Sequence, residues 1–285
     1  MKPAYITPEF LDQFISSAFL EDIGDGDHST LAAIPEAATS SAQLIVKDDG
    51  ILAGVELAKI IFAHFDSTLV FNQKLTDGTR IKKGEMAFTV SGKARAILTC
   101  ERLVLNCMQR MSGIATYTDH LSSLISGTSA KLLDTRKTTP NFRLLEKWAV
   151  VIGGGINHRI GLYDMIMLKD NHIDMAGGIS KAIFQTKEYL REKNKALKIE
   201  VEVRSLEELR EVLAVGGIDN ILLDNMSVSM LKEAVSLINK KYRTEASGGI
   251  TETTIGEIAT TGVDYISVGA LTHSYQSLDL SLKAY

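Results

Sequence analysis

The chain has 285 residues, a length that fits two ordinary domains or one barrel with an extension. Its 31 basic and 35 acidic residues leave a net charge of −4, which argues against nucleic-acid binding through overall basicity. No apolar run reaches the ~18 residues of a membrane span, and the N-terminus lacks the apolar core of a secretion signal. Cys100 and Cys107 lie too far apart on one helix to form a disulfide. We therefore expect a reduced, cytoplasmic protein.

The first ~100 residues read as a strand-rich α+β unit. Apolar residues at helical spacing predict a helix over 8–20, and a turn-rich acidic segment follows it. Most of 42–99 then favours strands, interrupted by a helix over 55–65. The segment 77–85 is predicted to be a tight turn between two strands.

From residue 101 the pattern changes to a long helix followed by alternating strands and helices. The predicted strands are 131–135, 165–169, 198–203, 220–225, 244–247 and 265–269. Short apolar runs that alternate with amphipathic helices indicate βα units and a parallel sheet. Six such units predict a closed or nearly closed β/α barrel. An open doubly wound sheet is the alternative, although no GxGxxG motif follows the first strand.

A charged residue or a glycine turn stands where each of the six predicted strands ends. The charged residues are Arg136, Lys137, Lys169, Glu202 and Asp224, and the turns are 247–249 and 269–270. The active site of a β/α barrel lies at the C-terminal ends of its strands, so these groups are expected to converge. A single charged residue at a strand end is usually a solvated loop residue, but this many together favour a site.

The turns after the last two strands favour phosphate binding. Ser247, Gly248 and Gly249, and then Gly269 and Ala270, present backbone N–H groups before a predicted helix. Barrels often bind phosphate at this position. Two ordinary glycine turns are the alternative interpretation.

The segment 134–172 concentrates basic residues in an acidic chain, which indicates an anionic partner. Its basic residues are Arg136, Lys137, Arg143, Lys147, His158, Arg159, Lys169 and His172. Arginine suits bidentate capture of a carboxylate, whereas lysine suits a phosphate. Surface charge is the alternative, above all for Arg143 and Lys147 in a predicted helix.

Glu202 and Asp224 form an acid pair on neighbouring strands that can hold Mg²⁺ beside substrate phosphates. They could instead be ion-pair acceptors for the basic cluster. Glu200 shares the strand face of Glu202 and competes for its role. The sequence has no Cys/His spacing typical of a zinc site.

Longer motifs of the chain resemble those of a known protein family. The segments DTRKTTP, GGGINHRIGL, MLKDNH, EVEV, ILLDN, EASGGI and GVDYISVGALTHS, with ERLVLNCMQRMSGIAT and LEDIGDGDHST, resemble the quinolinate phosphoribosyltransferase family. The match runs from about residue 20 to residue 275. The resemblance implies an N-terminal α/β sandwich domain over 1–111 and a barrel with fewer than eight strands over 112–285, with the last residues returning to the first domain. It also implies a homodimer, open to higher assembly, in which each N-terminal domain closes over the partner's barrel.

The resemblance implies a role for each matching residue. Arg136, His158 and Arg159 match quinolinate-binding positions, and Arg102 matches an arginine that reaches the neighbouring subunit's site. Lys137 and Lys169 match catalytic lysines, and Glu202 and Asp224 match acids around the ribose and the metal. The remaining substrate-binding positions, most of them around the 5′-phosphate, are Thr135, Ser247, Gly248, Gly249, Val268, Gly269, Ala270 and His273. Asn141 and Trp148 depart from the common pattern but do not touch the charged positions.

The implied activity is transfer of a phosphoribosyl group from phosphoribosyl pyrophosphate to quinolinate, with decarboxylation and with Mg²⁺ as cofactor. Three alternatives stay open: a relative that uses another acceptor, a lyase that forms a Schiff base on Lys137 or Lys169, and a carrier hairpin built around Lys82 and Lys83. The arginine pair Arg136 and Arg159 favours a dicarboxylate acceptor and so argues against a relative that uses another acceptor. The residues that flank Lys82 and Lys83 do not match a carrier motif.

Overall fold

The computed structural model describes residues 2–285, which form two compact units. The first comprises residues 2–119, Thr138–Gly154 and Leu271–Tyr285, and the second comprises His120–Lys137 and Gly155–Ala270. No helix within residues 2–285 is long and apolar enough to cross a membrane.

The elements of the N-terminal part alternate helices with an antiparallel sheet. In chain order they are α1 (Pro8–Ile23), α2 (His28–Ala33), β1 (Thr39–Val46), β2 (Gly50–Ile51), α3 (Val55–Phe65), β3 (Val70–Gln73), β4 (Arg80–Ile81), β5 (Met86–Lys93) and α4 (Ala94–Leu124). The predicted helix over 8–20 is present and extends to Ile23, because the chain turns only at Gly24, where φ is +57°. Thr7 begins it by accepting a hydrogen bond from the Phe10 amide at 3.2 Å.

The rest of the chain alternates strands and helices as the sequence predicts. The elements are β6 (Lys131–Leu133), α5 (Arg143–Ile152), β7 (Ile166–Leu168), α6 (Asp170–Ala176), α7 (Ile179–Glu192), β8 (Ile199–Val203), α8 (Leu206–Val215), β9 (Asn220–Asp224), α9 (Val228–Ile238), β10 (Arg243–Ser247), α10 (Ile255–Ala259), β11 (Tyr265–Ser267), α11 (Ala270–His273) and β12 (Leu280–Ala284).

The sheet of the first unit has the order β12-β1-β5-β3 and is antiparallel. Alternate residues of β1 are buried, as the two-residue period of a strand requires. Leu44 of β1 and Phe88 of β5 are fully buried partners in the register. Because β12 pairs with β1, the C-terminal residues return to this sheet.

The second unit is a six-stranded parallel sheet with the order β6-β11-β10-β9-β8-β7. Within this sheet the first strand, β6, pairs with the last strand, β11. All remaining neighbours are consecutive along the chain, which is the strand order of a barrel. The seam lies between β6 and β7, where Leu133 forms one bridge to Ile156. The predicted barrel with fewer than eight strands is therefore confirmed, and the open doubly wound sheet is wrong.

One predicted helix is much shorter than its sequence suggested. The pattern of 251–262 predicts a helix that starts soon after the glycine turn at 247–249, but α10 covers only Ile255–Ala259. Threonine side chains bond to the backbone on both sides of this short helix: the Thr251 amide donates to Thr254 Oγ1 at 3.0 Å, and Thr261 Oγ1 donates to the Ile258 carbonyl at 2.7 Å. Threonine competes with the backbone in this way and so favours helix ends.

A charged contact in the first unit holds the segment that follows Lys137. Arg110 of α4 donates from Nε to Glu146 Oε1 at 2.9 Å, and its guanidinium lies over the rings of Phe142 and Tyr275, 5.3 and 5.1 Å from their centroids. The Thr139 amide donates to the other oxygen of Glu146 at 3.1 Å. This fully buried carboxylate therefore fixes the turn two residues after Lys137.

Two helical glycines allow a matched test of packing in this fold. We expect Gly113→Ala to destabilise the protein by ~1–3 kcal/mol, because its Cβ would collide with the backbone of Gln276 and Ser277. Gly256→Ala should be neutral or stabilise by up to ~1 kcal/mol, because its Cβ would meet only the Leu124 carbonyl at 3.6 Å. Urea unfolding of the two variants measures both, and equal stability would contradict the close approach at Gly113.

Candidate active site

The six parallel strands bring the predicted charged residues to one end of the barrel. Arg136 and Lys137 follow β6, Lys169 follows β7, Glu202 lies in β8 and Asp224 ends β9. Ser247 ends β10, and the segment 268–270 follows β11. Because the strands run in one direction, these groups share the C-terminal end of the sheet, as expected for a barrel site. We call this set of residues the strand-end site.

Lys169 and Glu202 form an ion pair across two neighbouring strands. Their Nζ and Oε2 atoms are 3.4 Å apart, and the Lys169 side chain is 48% exposed whereas that of Glu202 is 9% exposed. Glu200 and Glu202 point to the same face of β8 because side chains alternate along a strand. Glu202 is the one nearer the strand end. Glu200 lies deeper and makes a different contact, described below.

Asp224 is held at the strand end by the residue that follows it. Asn225 adopts a left-handed conformation with φ of +52°, and its Nδ2 donates to Asp224 Oδ2 at 2.7 Å. The Asn225 amide donates to the Ser247 carbonyl at 2.9 Å, so β9 and β10 stay paired up to this point. In the register Glu202 is the partner of Leu222, which places Asp224 two residues further along the same face.

The glycine turn after β10 has a specific steric cause. Gly248 and Gly249 have φ of +94° and +59°, and a Cβ on Gly248 would collide with the Asn225 side chain. The amides of these two glycines donate no hydrogen bond to any of residues 2–285. They are free to bind an anion, and backbone N–H groups in left-handed turns commonly do so. Since α10 begins only at Ile255, the amides carry this interaction rather than a helix dipole.

Arg136 and Arg159 lie close enough for their charges to interact. Burial and the neighbouring Arg136 charge lower the pKa of Arg159 from its ordinary value. Arg159 Nη1 donates to the Met165 carbonyl at 3.2 Å, while its buried Nε finds no acceptor within residues 2–285. Two adjacent guanidinium groups with an unused donor are suited to a ligand that carries carboxylates.

Asp134 connects the two segments that carry these arginines. This fully buried residue follows β6, two residues before Arg136. Its Oδ1 accepts from the His158 amide at 2.8 Å, and its Oδ2 accepts from Asn157 Nδ2 at 2.7 Å. The turn before Arg159 is therefore tied to the end of β6.

His158 occupies the barrel interior together with two glutamates, a set we call the His158 cluster. Its Nε2 lies 2.9 Å from Oε2 of Glu200 and 3.3 Å from Oε2 of Glu245. Side-chain exposure is 7% for His158, 0% for Glu200 and 3% for Glu245. These are the three residues among 2–285 that are arranged closely enough to hold a metal ion as a group.

The His158 cluster retains protons strongly. Burial disfavours a charged ring, but the hydrogen bonds and charges of Glu200 and Glu245 outweigh it and raise the pKa of His158 from 6.5 to about 10. Burial also raises the pKa of Glu200. Because the Arg159 amide donates to Nδ1 at 2.7 Å, Nε2 is the nitrogen that can donate a proton to the two glutamates.

Sequence reasoning missed Asp134 and Glu245, although both carry a visible signal. Each is a carboxylate within or directly after a predicted buried strand, where an acid is costly unless it is paired. Glu245 and His158 also line a cavity of about 350 Å³ at the N-terminal end of the strands, beside Lys198 and Arg243. The alternative interpretation of Lys147 as surface charge is wrong, because Lys147 is fully buried in α5.

Two predicted site residues belong to the first unit. Arg102 lies exposed on α4 and forms no ion pair with the described part of the chain. His273 ends α11, where its Nδ1 is 2.7 Å from Ser274 Oγ. Their assignment to the site stays a prediction. Thr135, at the strand end, accepts a hydrogen bond from the Lys137 amide at 3.0 Å and so shapes the turn that carries Arg136.

Comparison with known proteins gives matches over nearly the whole chain. The quinolinate phosphoribosyl transferase N-terminal domain model matches residues 27–112, and the C-terminal domain model matches residues 114–283. A quinolinate phosphoribosyltransferase [decarboxylating] of Nicotiana tabacum is 47% identical over 99% of this chain and 84% of its own length. A probable nicotinate-nucleotide pyrophosphorylase [carboxylating] of Bacillus subtilis is 42% identical over 95% of this chain and 92% of its own.

A solved structure gives the same result for the fold. The crystal structure of NadC from Streptococcus pyogenes superposes with a TM-score of 0.92 at 41% identity. The alignment covers 98% of this chain and 97% of that one. The alignment therefore includes residues of both units.

Proposed function

The chain belongs to the quinolinate phosphoribosyltransferase family, and on that premise we propose that its strand-end site binds the two anionic substrates of the family reaction. The enzyme is a glycosyltransferase that transfers the phosphoribosyl group of phosphoribosyl pyrophosphate to quinolinate with decarboxylation. The products are nicotinate mononucleotide, CO₂ and pyrophosphate, and the reaction belongs to NAD biosynthesis. The observation that carries the proposed site is the adjacent pair Arg136 and Arg159.

Quinolinate carries two carboxylates on adjacent ring carbons, which the arginine pair can neutralise. The buried Nε of Arg159 lacks an acceptor that a carboxylate would supply. We include His158, whose turn carries Arg159, among the proposed quinolinate-binding residues. An uncharged acceptor would supply no negative charge to these two half-buried guanidinium groups, which argues against a relative with another substrate.

Phosphoribosyl pyrophosphate is proposed to lie along the remaining strand ends. The free amides of Gly248 and Gly249 bind its 5′-phosphate, with Ser247, Val268, Gly269, Ala270 and His273 around it. Lys137 and Lys169 face the pyrophosphate, whose negative charge grows as it leaves. Preorganised positive charge of this kind is commonly the largest catalytic contribution.

In the first step the pyridine nitrogen forms a bond to ribose C1 while the bond from C1 to pyrophosphate breaks, and its electron pair leaves with pyrophosphate. Positive charge develops on the ribose, beside the carboxylates of Glu202 and Asp224. In the second step the bond between ring C2 and its carboxylate breaks, and CO₂ leaves. The electron pair stays at C2, where the quaternised nitrogen stabilises it until a proton from water is added.

Mg²⁺ is the proposed cofactor, and the donor set at the strand end suits it. Glu202 and Asp224 offer carboxylate oxygens on one sheet face, and Mg²⁺ is commonly bound by one or two carboxylates together with substrate phosphates. When bound, the ion would neutralise pyrophosphate charge. Lys169 forms an ion pair with Glu202, so the charge of Lys169 and that of a bound Mg²⁺ would act on the same region of the site.

A Schiff-base lyase at Lys169 is less well supported. A nucleophilic lysine must be neutral, which a dry pocket favours. Lys169 instead is about half exposed and forms an ion pair with Glu202, so it does not lie in a dry pocket. The positive charge of a lysine side chain at this position can stabilise the departing pyrophosphate.

The proposed assembly is a homodimer with a shared site, into which Arg102 of each chain enters its partner's barrel. The exposed position of Arg102 on α4 and its lack of an ion pair support this. The proposed compartment is the cytoplasm, which the two buried free cysteines, Cys100 and Cys107, support.

The arginine assignment can be tested with single variants. Arg136→Ala and Arg159→Ala should each weaken quinolinate binding far more than phosphoribosyl pyrophosphate binding, at a cost of about 2–5 kcal/mol, because loss of one partner leaves a carboxylate unpaired. Calorimetry with each substrate measures this. Arg210→Ala, at a half-exposed helix position, is the matched control. Unchanged quinolinate affinity in both site variants would refute the assignment.

The metal assignment predicts dependence on a divalent cation. Activity should disappear in excess chelator and return with Mg²⁺, and Asp224→Asn should require a higher Mg²⁺ concentration for half-maximal rate, because one carboxylate oxygen is lost. A magnesium titration of the initial rate checks both points. Full turnover in chelator would contradict the proposal.

The shared site predicts complementation between two defective chains. Arg102→Ala and Lys137→Ala should each be nearly inactive alone. If Arg102 acts in the partner's site, one site of each mixed dimer carries both lesions and the other carries none. Random pairing should then restore about a quarter of wild-type activity, because a two-fold interface makes the two sites equivalent.

The control for this experiment is native mass spectrometry, which must show that chains have exchanged. If Arg102 acts within its own chain, every site keeps one lesion. Exchange without recovery of activity would therefore reject the shared site.

A further inference from the structure

We propose that Arg110 is a positioning residue for phosphoribosyl pyrophosphate: its guanidinium joins the chain that leaves Lys137 to the chain that leaves His273, and so places both phosphate-binding side chains. The inference rests on the proposed function, because it takes Lys137 to face the pyrophosphate and His273 to lie at the 5′-phosphate. Arg110 is not proposed to touch either substrate. It acts through the two segments that it contacts.

One edge of the Arg110 guanidinium holds the turn that follows Lys137. Its Nε donates to Oε1 of Glu146 at 2.9 Å, and its Nη2 donates to Oγ1 of Thr139. The Thr139 amide donates to the second carboxylate oxygen of Glu146 at 3.1 Å. Thr139 is thus held at its backbone and at its side chain, only two residues after Lys137.

The guanidinium of Arg110 also contacts the chain that follows His273. Its central carbon lies 5.1 Å from the ring centroid of Tyr275, which is two residues after His273, and 5.3 Å from that of Phe142. Both distances fall within the range of a cation–π contact. A planar guanidinium can donate hydrogen bonds from its edge while it stacks on aromatic rings. One side chain therefore contacts both segments.

Helix α4, which carries Arg110, fixes the chain beyond Tyr275 as well. The Leu278 amide donates to the carbonyl of Gln109 at 3.1 Å. Nε2 of Gln109 donates in turn to the Leu280 carbonyl at 3.0 Å. Because Gln109 directly precedes Arg110, the arginine side chain starts from a backbone that is already bound to the C-terminal segment.

The buried carboxylate of Glu146 explains why an arginine is needed at this position. The Glu146 side chain is 0% exposed and that of Arg110 is 30% exposed. Removal of one partner of a buried ion pair leaves an uncompensated charge, so the surrounding groups must rearrange. Loss of Arg110 is therefore expected to release Thr139 and Tyr275 together. A lysine would keep the charge but would lack both the fork of donors and the planar face.

Steady-state kinetics of the intact enzyme tests the proposal. Arg110→Ala should raise the KM for phosphoribosyl pyrophosphate about 10-fold, because a misplacement of about 1 Å at a site can cost up to about 100-fold. The KM for quinolinate should change by less than about twofold, since groups that share no contact act independently. Arg110→Lys should recover only part of the lost affinity for phosphoribosyl pyrophosphate.

Double variants connect this effect to the phosphate-binding side chains. In a His273→Ala background, Arg110→Ala should raise the KM for phosphoribosyl pyrophosphate by a smaller factor than in the wild type, because part of its effect acts through the histidine. Thr139→Val and Tyr275→Leu each remove one side of the arginine's contacts, and each should raise the same KM by a smaller factor. These two milder variants also provide the measurement if Arg110→Ala does not fold.

Arg80→Ala is the matched control. Arg80 also forms an ion pair with an acid, Asp119 of α4, at 2.7 Å, but its side chain is 74% exposed. Both KM values of this variant should equal those of the wild type. A change in either of them would show that loss of an ion pair on α4 is enough to disturb binding, and it would overturn the specific role of Arg110.

Three further results would overturn the proposal. A lower kcat with both KM values unchanged would reduce Arg110 to a general structural role, and equal rises in both KM values would do the same. Effects of Arg110→Ala and His273→Ala that multiply fully would show that the arginine does not act through the histidine. A wild-type enzyme that does not use phosphoribosyl pyrophosphate would refute the proposed function itself, independently of any variant.

Discussion

The barrel of this protein depends on a buried ionic contact at its open seam. Within the six-stranded sheet β6 and β7 are not paired, and β6 instead forms a bridge from Leu133 to Ile156, which precedes β7 in the chain. The chain that crosses this seam places His158 between Glu200 and Glu245, and burial of these carboxylates is tolerated because each has a partner. A barrel core of apolar side chains would close the same gap but would leave the arginine-bearing turn without its contacts to Glu200 and Glu245.

The polar interior of the barrel explains how the strand-end site can bind two anionic substrates. Acids on the interior face balance the cations at the strand end: Glu202 pairs with Lys169, and Glu200 attracts Arg159. Positive charge can then be concentrated near the substrates without the basic residues driving one another apart. The glycine amides after β10 add donors without further charge.

The sequence predicted the order of elements and most of the strand-end site, because strand ends in a barrel are readable from apolar runs. It could not predict how deep in the barrel an acidic side chain of a strand lies. Glu200 and Glu202 have the same face and spacing, and only the contacts of Lys169 and His158 separate their roles. The short α10 was also missed, since threonine hydrogen bonds compete locally with a helical pattern. Asp134 and Glu245 needed the tertiary structure, because their partners are distant in sequence.

The central claim is that one strand-end site couples phosphoribosyl transfer to loss of the 2-carboxylate. Quinolinate labelled with ¹³C in that carboxylate, incubated with the enzyme, phosphoribosyl pyrophosphate and Mg²⁺, tests it by NMR. The account predicts labelled CO₂ and pyrophosphate in equal amounts, with unlabelled nicotinate mononucleotide. Label retained in the nucleotide, or CO₂ released without pyrophosphate, would contradict it.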